Sequence, residues 1–286
     1  MQQSSLKKLI ALAFSEDKVF NDLTSDYCLK KNLQTNFVIR ARDPLVFCGK
    51  EIIELVFKQI KTKKKFKNAK IKIEFLANDG DYLQSQSLIV KGQGDAKLIF
   101  ATERIILNFI QHLSGISTYT YEFVKKLQGT KIKILDTRKT LPGYRHLEKY
   151  AVKCAGGYNH RFNLNDRILI KDNHLANCLS SIPELLIFLK KKIKEKLIEI
   201  ECDNYQQVLQ AIKSSPDIIM LDNMKINDLQ NSISAIRKAN KKIIIEVSGG
   251  INLSNINHYR DLDIDFISIG SITHSAKAVD IGLDVD

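Results

Sequence analysis

The chain has 286 residues, 44% of them hydrophobic and 27% charged, with five cysteines and a net charge of +12. That length corresponds to about two domains or one large one, with enough apolar residues for a core that needs no disulfide staples. The composition excludes a disordered tail, a collagen and a coiled coil, and the apolar run Leu9–Phe14 is far shorter than the roughly 20 residues of a membrane span.

Ser4–Phe14 has helical apolar spacing and no small-residue cleavage site, so it reads as a structural helix rather than a signal peptide, and a cytoplasmic location is expected. Phe37–Arg40 reads as a strand and Lys50–Ile60 as an amphipathic helix. Ala69–Phe75 alternates strictly, Ser87–Lys91 is a further strand, and Ala101–Ile116 is a long helix. These elements predict an α+β domain with a small sheet, ending near residue 113. Gly92-Gln93-Gly94 lacks a third glycine and is no dinucleotide fingerprint.

From Lys131 the pattern becomes regular. Short β-branched runs recur at 131–135, 167–170, 197–200, 217–221, 242–247 and 265–269, with ends between 20 and 35 residues apart. Helices are predicted at Glu184–Lys196, Tyr205–Ser214 and Ile226–Ala239. Repeated βα units predict a parallel sheet, closed as a barrel or open and doubly wound. All six runs end in polar, charged or glycine positions. A barrel gathers all such ends on one face, whereas an open sheet gathers only those at its switch point. The barrel therefore accounts for more of the pattern, although loops are commonly polar in any fold.

The surplus charge is localised. Residues 61–72 hold seven lysines and no acid, and residues 190–196 hold five lysines and one glutamate, together eleven of the twelve surplus charges. Both read as solvated faces of a loop and a helix end. Nucleic-acid binding is not expected, because the runs match no recognised module. The cysteines are odd in number, widely spaced and without a C-x-x-C, which argues against a disulfide framework or a zinc ribbon. Cys154 and Cys202 read as buried free thiols, and His146 and His258 as ordinary surface or core histidines.

On the predicted barrel face, Arg138, Lys139, Arg161 and Lys171 oppose Glu201 and Asp222, with His160 beside Arg161. Each alone reads as a surface or ion-pair residue; their clustering on strand ends gives them weight. Arginine pairs bidentately with planar carboxylates, and lysine serves as a point charge. The two acids can take sugar hydroxyls or Mg²⁺ through water. Ser248-Gly249-Gly250 and Gly270-Ser271 lie on the last two strands, where barrels commonly bind phosphate. These residues point to a phosphorylated sugar and a polycarboxylate as ligands.

The stretch TRKTLPGYRHLEKYAVKCAGGYNHR (137–161), followed by DRILIKDNHL (166–175), resembles the quinolinate phosphoribosyltransferase family. EDKVFNDLTSD (16–26), ERIILNFIQHLSGI (103–116), IEIECDN (198–204), DIIMLDNM (217–224), IEVSGGI (245–251) and DFISIGSITHSA (265–276) extend the resemblance over the whole chain in the family's order. The resemblance implies a type II phosphoribosyltransferase fold. Residues 1–112 would form an N-terminal α/β sandwich domain, residues 113–276 a barrel-like catalytic domain, and residues 277–286 a tail returning to the first domain. It implies phosphoribosyl transfer from 5-phosphoribosyl-1-pyrophosphate to quinolinate with Mg²⁺, and a homodimer or higher oligomer with shared active sites. By the same resemblance Arg138, Arg161 and Lys171, with Arg104 from a partner subunit, would bind the two carboxylates. Lys139 and His160 would help hold the substrates and the departing pyrophosphate. Glu201 and Asp222 would meet the ribose and the waters of Mg²⁺, making Lys139, Glu201 and Asp222 the catalytic set. Thr137, Ser248, Gly249, Gly250, Ser268, Gly270, Ser271 and His274 complete the substrate contacts. Two departures stand out: Ala155-Gly156-Gly157 where the family has three glycines, and Leu141 where threonine is usual. Rival readings are a phosphoribosyltransferase of the same fold using another acceptor, a basic nucleic-acid-binding protein and a catalytically dead paralogue.

Overall fold

The structure is a computed structural model that describes residues 3–285. Its strands in chain order are β1 (Gln34–Ala41), β2 (Leu45–Val46), β3 (Ile71–Phe75), β4 (Tyr82–Leu83), β5 (Leu88–Asp95), β6 (Lys133–Leu135), β7 (Ile168–Ile170), β8 (Ile198–Cys202), β9 (Ile218–Asp222), β10 (Ile244–Ser248), β11 (Phe266–Ser268) and β12 (Ile281–Val285). The chain forms two compact units. One holds the residues up to Tyr121, Thr140–Gly156 and those from Ile272 on; the other holds Glu122–Lys139 and Gly157–Ser271.

The first unit is built on an antiparallel sheet in the order β12-β1-β5-β3. Phe37, Ile39 and Ala41 of β1 are buried on one face, as a two-residue period requires. Gly92 of β5 is needed where it stands: a Cβ there would lie 2.3 Å from the Phe37 ring. Gly92-Gln93-Gly94 is therefore a packing feature of a strand. Helix Lys50–Ile60 buries Ile52, Ile53, Val56, Phe57 and Ile60, each worth roughly 1.5–3 kcal/mol against exposure. The Asp79 carboxylate accepts from Gly49 N–H at 2.7 Å and Lys50 N–H at 2.9 Å, satisfying donors that a helix start leaves open.

The long helix runs from Ala96 to Lys126, well beyond the predicted 101–116. Asp95 starts it by accepting from Leu98 N–H at 3.2 Å. Buried Ser114, Ser117 and Thr120 interrupt the apolar periodicity without ending the helix. A helix at Arg145–Cys154, which periodicity does not reveal, belongs to the same unit. Its fully buried Glu148 lies 3.0 Å from His112 Nε2 and accepts from Leu141 N–H at 3.3 Å. Ser117 donates to Ala151 O at 2.8 Å, and Tyr144 stacks on Phe109.

The second unit has six parallel strands in the order β6-β11-β10-β9-β8-β7 among the described residues. The first strand lies beside the last and the others follow in chain sequence. That is the order of a barrel sweep, since a doubly wound sheet reverses at its centre. β6 and β7 do not pair; Tyr158 forms an isolated parallel bridge to Leu135 at that opening. Ile198, Ile200, Cys202, Ile219, Leu221, Ile245, Val247, Ile267 and Ile134 are buried and share one face by the two-residue period. Glu199, Glu201, Met220, Asp222, Glu246, Ser248 and Ser268 share the other. Helix Ile182–Lys192 starts two residues before its predicted start, because Ser181 and Glu184 form a capping box and Pro183 occupies its first turn. Tyr205–Ala211 passes into a 3₁₀ turn at 212–214, and Ile226–Ala239 is as predicted.

The lysine runs lie on a turn with a short 3₁₀ segment and on a helix end; Lys65 pairs with Asp26 at 2.8 Å. Among the described residues no helix is long and apolar enough to cross a membrane.

In the long helix, a Cβ at Gly115 would lie 2.2 Å from the Lys277 carbonyl oxygen. Gly115→Ala should therefore destabilise the protein by about 1–3 kcal/mol through overpacking. An open helical site would instead gain roughly 0.5–1 kcal/mol from the same change. Urea unfolding midpoints of the two proteins check the sign.

Candidate active site

The second unit carries most of the candidate site, and buried Asp136 organises one side of it. Its carboxylate accepts from His160 N–H at 2.9 Å and from Asn159 Nδ2 at 2.5 Å. Tyr158 N–H donates to Ile134 O at 2.8 Å, and Asp136 N–H to Tyr158 O at 3.1 Å. These bonds lay residues 158–160 along β6 and bring Arg161 beside Arg138. Burial, and then the positive charge of Arg138, pull the Arg161 guanidinium below its ordinary pKa. Two guanidiniums whose charges act on each other suit an anionic ligand.

His160 is turned inward. Arg161 N–H donates to its Nδ1 at 2.8 Å, which places the ring proton on Nε2. That nitrogen lies 3.2 Å from Glu199 Oε1 and 3.4 Å from Glu246 Oε1. Arg167 completes the cluster at 3.2 Å from Glu199 Oε2. Glu199 and Glu246 are fully buried. Burial, with Glu199 adding to it, pushes the Glu246 carboxyl well above the ordinary range.

Across the barrel end, Glu201, Asp203 and Asp222 each present a carboxylate oxygen within 4.8 Å of the others. Burial raises the pKa of Glu201, while an ion pair with Lys171 opposes the rise. Burial and Asp222 likewise raise that of Asp203. Lys171 N–H donates to His174 Nδ1 at 3.0 Å, fixing the turn that carries Lys171. An all-oxygen trio suits a hard divalent cation such as Mg²⁺.

The third side is backbone. Gly249 and Gly250 have φ of +94° and +63°, and a Cβ at Gly249 would lie 2.2 Å from Asn223 Oδ1. Asn223 N–H donates to Ser248 O at 3.0 Å, and Asn255 Nδ2 to Gly250 O at 2.9 Å. Ser268 ends β11 at the same end of the barrel, followed by Gly270 and Ser271. Ser271 Oγ is buried with no hydrogen-bond partner among the described residues, a donor available to an anionic ligand. Thr137 Oγ1 accepts from Lys139 N–H at 3.1 Å, shaping the turn after β6.

The strand ends thus gather Thr137, Arg138, Lys139, His160, Arg161, Lys171, Glu201, Asp222, Ser248, Gly249, Gly250, Ser268, Gly270 and Ser271 in one unit. Arg104 and His274 belong to the other. Arg104 is exposed on the long helix, 3.6 Å from Glu103, and His274 is exposed at the end of the short helix Ser271–His274. Sequence reading missed Asp136, Arg167, Glu199, Asp203 and Glu246. The signal for Glu199 and Glu246 was present as single acids inside apolar runs. Cys202 is buried and its thiol is pushed up to about 12, whereas Cys154 is only half-buried, unlike the buried thiol expected from sequence.

A parallel barrel whose open end sets paired guanidiniums against a carboxylate trio and a glycine-rich rim defines an enzyme of anionic sugar phosphates. Known proteins narrow that class. Residues 116–284 match the quinolinate phosphoribosyl transferase C-terminal domain and residues 22–114 its N-terminal domain. The chain is 38% identical to a probable nicotinate-nucleotide pyrophosphorylase [carboxylating] of Methanocaldococcus jannaschii, over 97% of this chain and 96% of that one. A Bacillus subtilis relative of the same description is also 38% identical, over 100% and 95%. The nicotinate-nucleotide pyrophosphorylase structure from Ehrlichia chaffeensis superposes with a TM-score of 0.88 at 41% identity, over 98% of each chain. The Francisella tularensis structure gives 0.89 at 34%, over 100% and 98%. Human nicotinic acid phosphoribosyltransferase, at 9% identity and a TM-score of 0.60, shares the fold alone. The chain belongs to the quinolinate phosphoribosyltransferase family.

The Glu246 carboxyl lies well above its ordinary value in the folded state and returns to that value on unfolding. It therefore destabilises the protein increasingly as pH rises above about 4.5. Glu246→Gln should remove that dependence. Its stability relative to the parent should grow as pH rises above about 4.5, at up to about 1.4 kcal/mol per pH unit, and should stop varying with pH below about 4. Urea unfolding across that range measures it.

Proposed function

We propose that this chain joins quinolinate to 5-phosphoribosyl-1-pyrophosphate and decarboxylates the adduct. The products are nicotinate mononucleotide, pyrophosphate and CO₂, a step of NAD biosynthesis. The observation that carries this reading is that Arg138 and Arg161, whose charges act on each other, share a barrel of this family with the acidic trio and with Lys171, which is ion-paired to Glu201. Two adjacent carboxylates on a planar ring match two adjacent guanidiniums bidentately.

The pyridine nitrogen attacks the anomeric carbon as pyrophosphate leaves. Positive charge develops on the ribose, and Glu201 and Asp222, with Asp203 beside them, stabilise it electrostatically. Ring alkylation creates a pyridinium that accepts the electron pair released when the 2-carboxylate departs as CO₂, and a proton then takes the vacated carbon. The chain supplies placement and charge, and no covalent intermediate is involved. Lys139 binds the substrates and the leaving pyrophosphate. The backbone at Ser248-Gly249-Gly250 and Gly270-Ser271, with Ser268 and the Ser271 hydroxyl, holds the 5′-phosphate, and His274 borders it. His160 has both ring nitrogens engaged within the protein, so it acts by holding Arg161. Mg²⁺, held through water by Glu201 and Asp222, neutralises the pyrophosphate when bound. The protein works as a homodimer or higher oligomer in the cytoplasm, with Arg104 reaching the site of a neighbouring subunit.

Incubation with 5-phosphoribosyl-1-pyrophosphate, Mg²⁺ and either quinolinate or nicotinate tests this, read by mass spectrometry. Nicotinate mononucleotide with CO₂ from quinolinate alone is the expected result; turnover of nicotinate would overturn the two-carboxylate assignment. Arg138→Ala and Lys171→Ala should each lower kcat/KM about 10²–10⁴-fold, as loss of an oriented charge does, with little change in Tm. Wild-type rates in either variant would contradict the roles of these two cations.

A further inference from the structure

Three segments of the first unit converge at a point that the catalytic proposal does not use: Phe47–Gly49, Asn78–Gly80 and Tyr150–Cys154. Gly80 N–H donates to Phe47 O at 2.9 Å. A Cβ on Gly80 would lie 2.9 Å from Cys154 O, so the turn fits tightly over the helix end. The sulfurs of Cys48 and Cys154 and an Asp79 carboxylate oxygen all lie within 4.8 Å of one another. Tyr150 donates its hydroxyl to Asp79 Oδ2 at 2.7 Å. Cys48 is fully buried, and its backbone is pinned on both sides by Ser114: Cys48 N–H donates to Ser114 Oγ at 3.0 Å, and that hydroxyl lies 3.3 Å from Cys48 O. Cys154 is partly open to solvent.

We propose that Cys48 and Cys154 form a reversible redox pair, in which Cys154 is the thiol first oxidised by a hydroperoxide and Cys48 is the thiol that resolves it. A peroxide-sensing cysteine needs access, thiolate character and a second sulfur within reach. Cys154 has all three. The neighbouring Cys48 thiol hydrogen-bonds to its sulfur and holds its pKa below the ordinary thiol value. Burial pushes the Cys48 thiol well above that value, so it keeps its proton until it is called on.

The chemistry balances with the peroxide as the oxidant. The Cys154 thiolate attacks one peroxide oxygen and the O–O bond breaks; Cys154 becomes a sulfenic acid and hydroxide leaves. The Cys48 sulfur then attacks the Cys154 sulfur. The S–O bond breaks, the Cys48 proton and the departing hydroxyl combine as water, and a disulfide joins residues 48 and 154. Two thiols and one hydrogen peroxide give one disulfide and two waters. An external dithiol reverses the change by exchange.

The test uses the full chain, fully reduced, treated with equimolar hydrogen peroxide at pH 7. Remaining thiols are alkylated under denaturing conditions, and the digest is analysed by mass spectrometry. The expected product is a Cys48–Cys154 cross-linked peptide that dithiothreitol abolishes, with Cys28, Cys178 and Cys202 recovered alkylated. In Cys48→Ser, Cys154 should persist as a sulfenic acid that dimedone traps, about tenfold faster than exposed Cys28 is modified, as its thiolate character requires. Recovery of Cys154 as a free thiol, its conversion to sulfinic acid in the parent chain, or cross-links to Cys28 or Cys178 would overturn the proposal.

Discussion

The arrangement of the second unit depends on burying ionisable groups inside a parallel barrel. Glu199, Glu246 and His160 lie where water does not reach, and Arg167 borders them. An isolated charge there would cost several kcal/mol, and ion pairs offset part of that cost. Arg167 pairs Glu199, the His160 Nε2–H points between the two glutamates, and burial pushes the Glu246 carboxyl up. His160 can serve only one way round, because its other nitrogen accepts the N–H of Arg161. The interior charges thereby fix the backbone that carries the Arg161 guanidinium at the rim.

That rim is electrically divided. Guanidiniums follow β6 and the segment laid beside it, carboxylates end β8 and β9, and uncharged backbone ends β10 and β11. Burial, and to a lesser degree like-charged neighbours, disfavours the charged form on both sides, as the shifted Arg161 and Glu201 show. Lys171 joins the two sides through its ion pair with Glu201.

Much of this was legible in the chain itself. Six apolar runs with polar ends, spaced as βα units, gave the barrel, and the charges after those runs gave the rim. The alternation at Ile71–Phe75 and the apolar face of Lys50–Ile60 gave the first unit. What was hidden has physical reasons. Helix Arg145–Cys154 buries a glutamate and a lysine on its inner face, so its periodicity does not look apolar. The long helix continues through buried hydroxyls that bond to backbone carbonyls, such as Ser117 to Ala151 O, and a pattern counting only apolar residues stops short. Glu199 and Glu246 stood in plain view, yet local pattern treats an acid inside a β-branched run as an interruption.

The sequence by itself determined the element types, the barrel class and the residues able to bind anions, because these depend on local period and side-chain chemistry. Only the tertiary structure decided which charges meet. The meeting of Asp136 with His160, 24 residues apart, and of Glu199 with Glu246 follows from the order and register of the parallel strands, and the approach of Cys48 to Cys154 from the packing of a loop against a helix end in the first unit. The inward turn of His160 was decided there too, since a buried imidazole takes the orientation that satisfies both of its nitrogens.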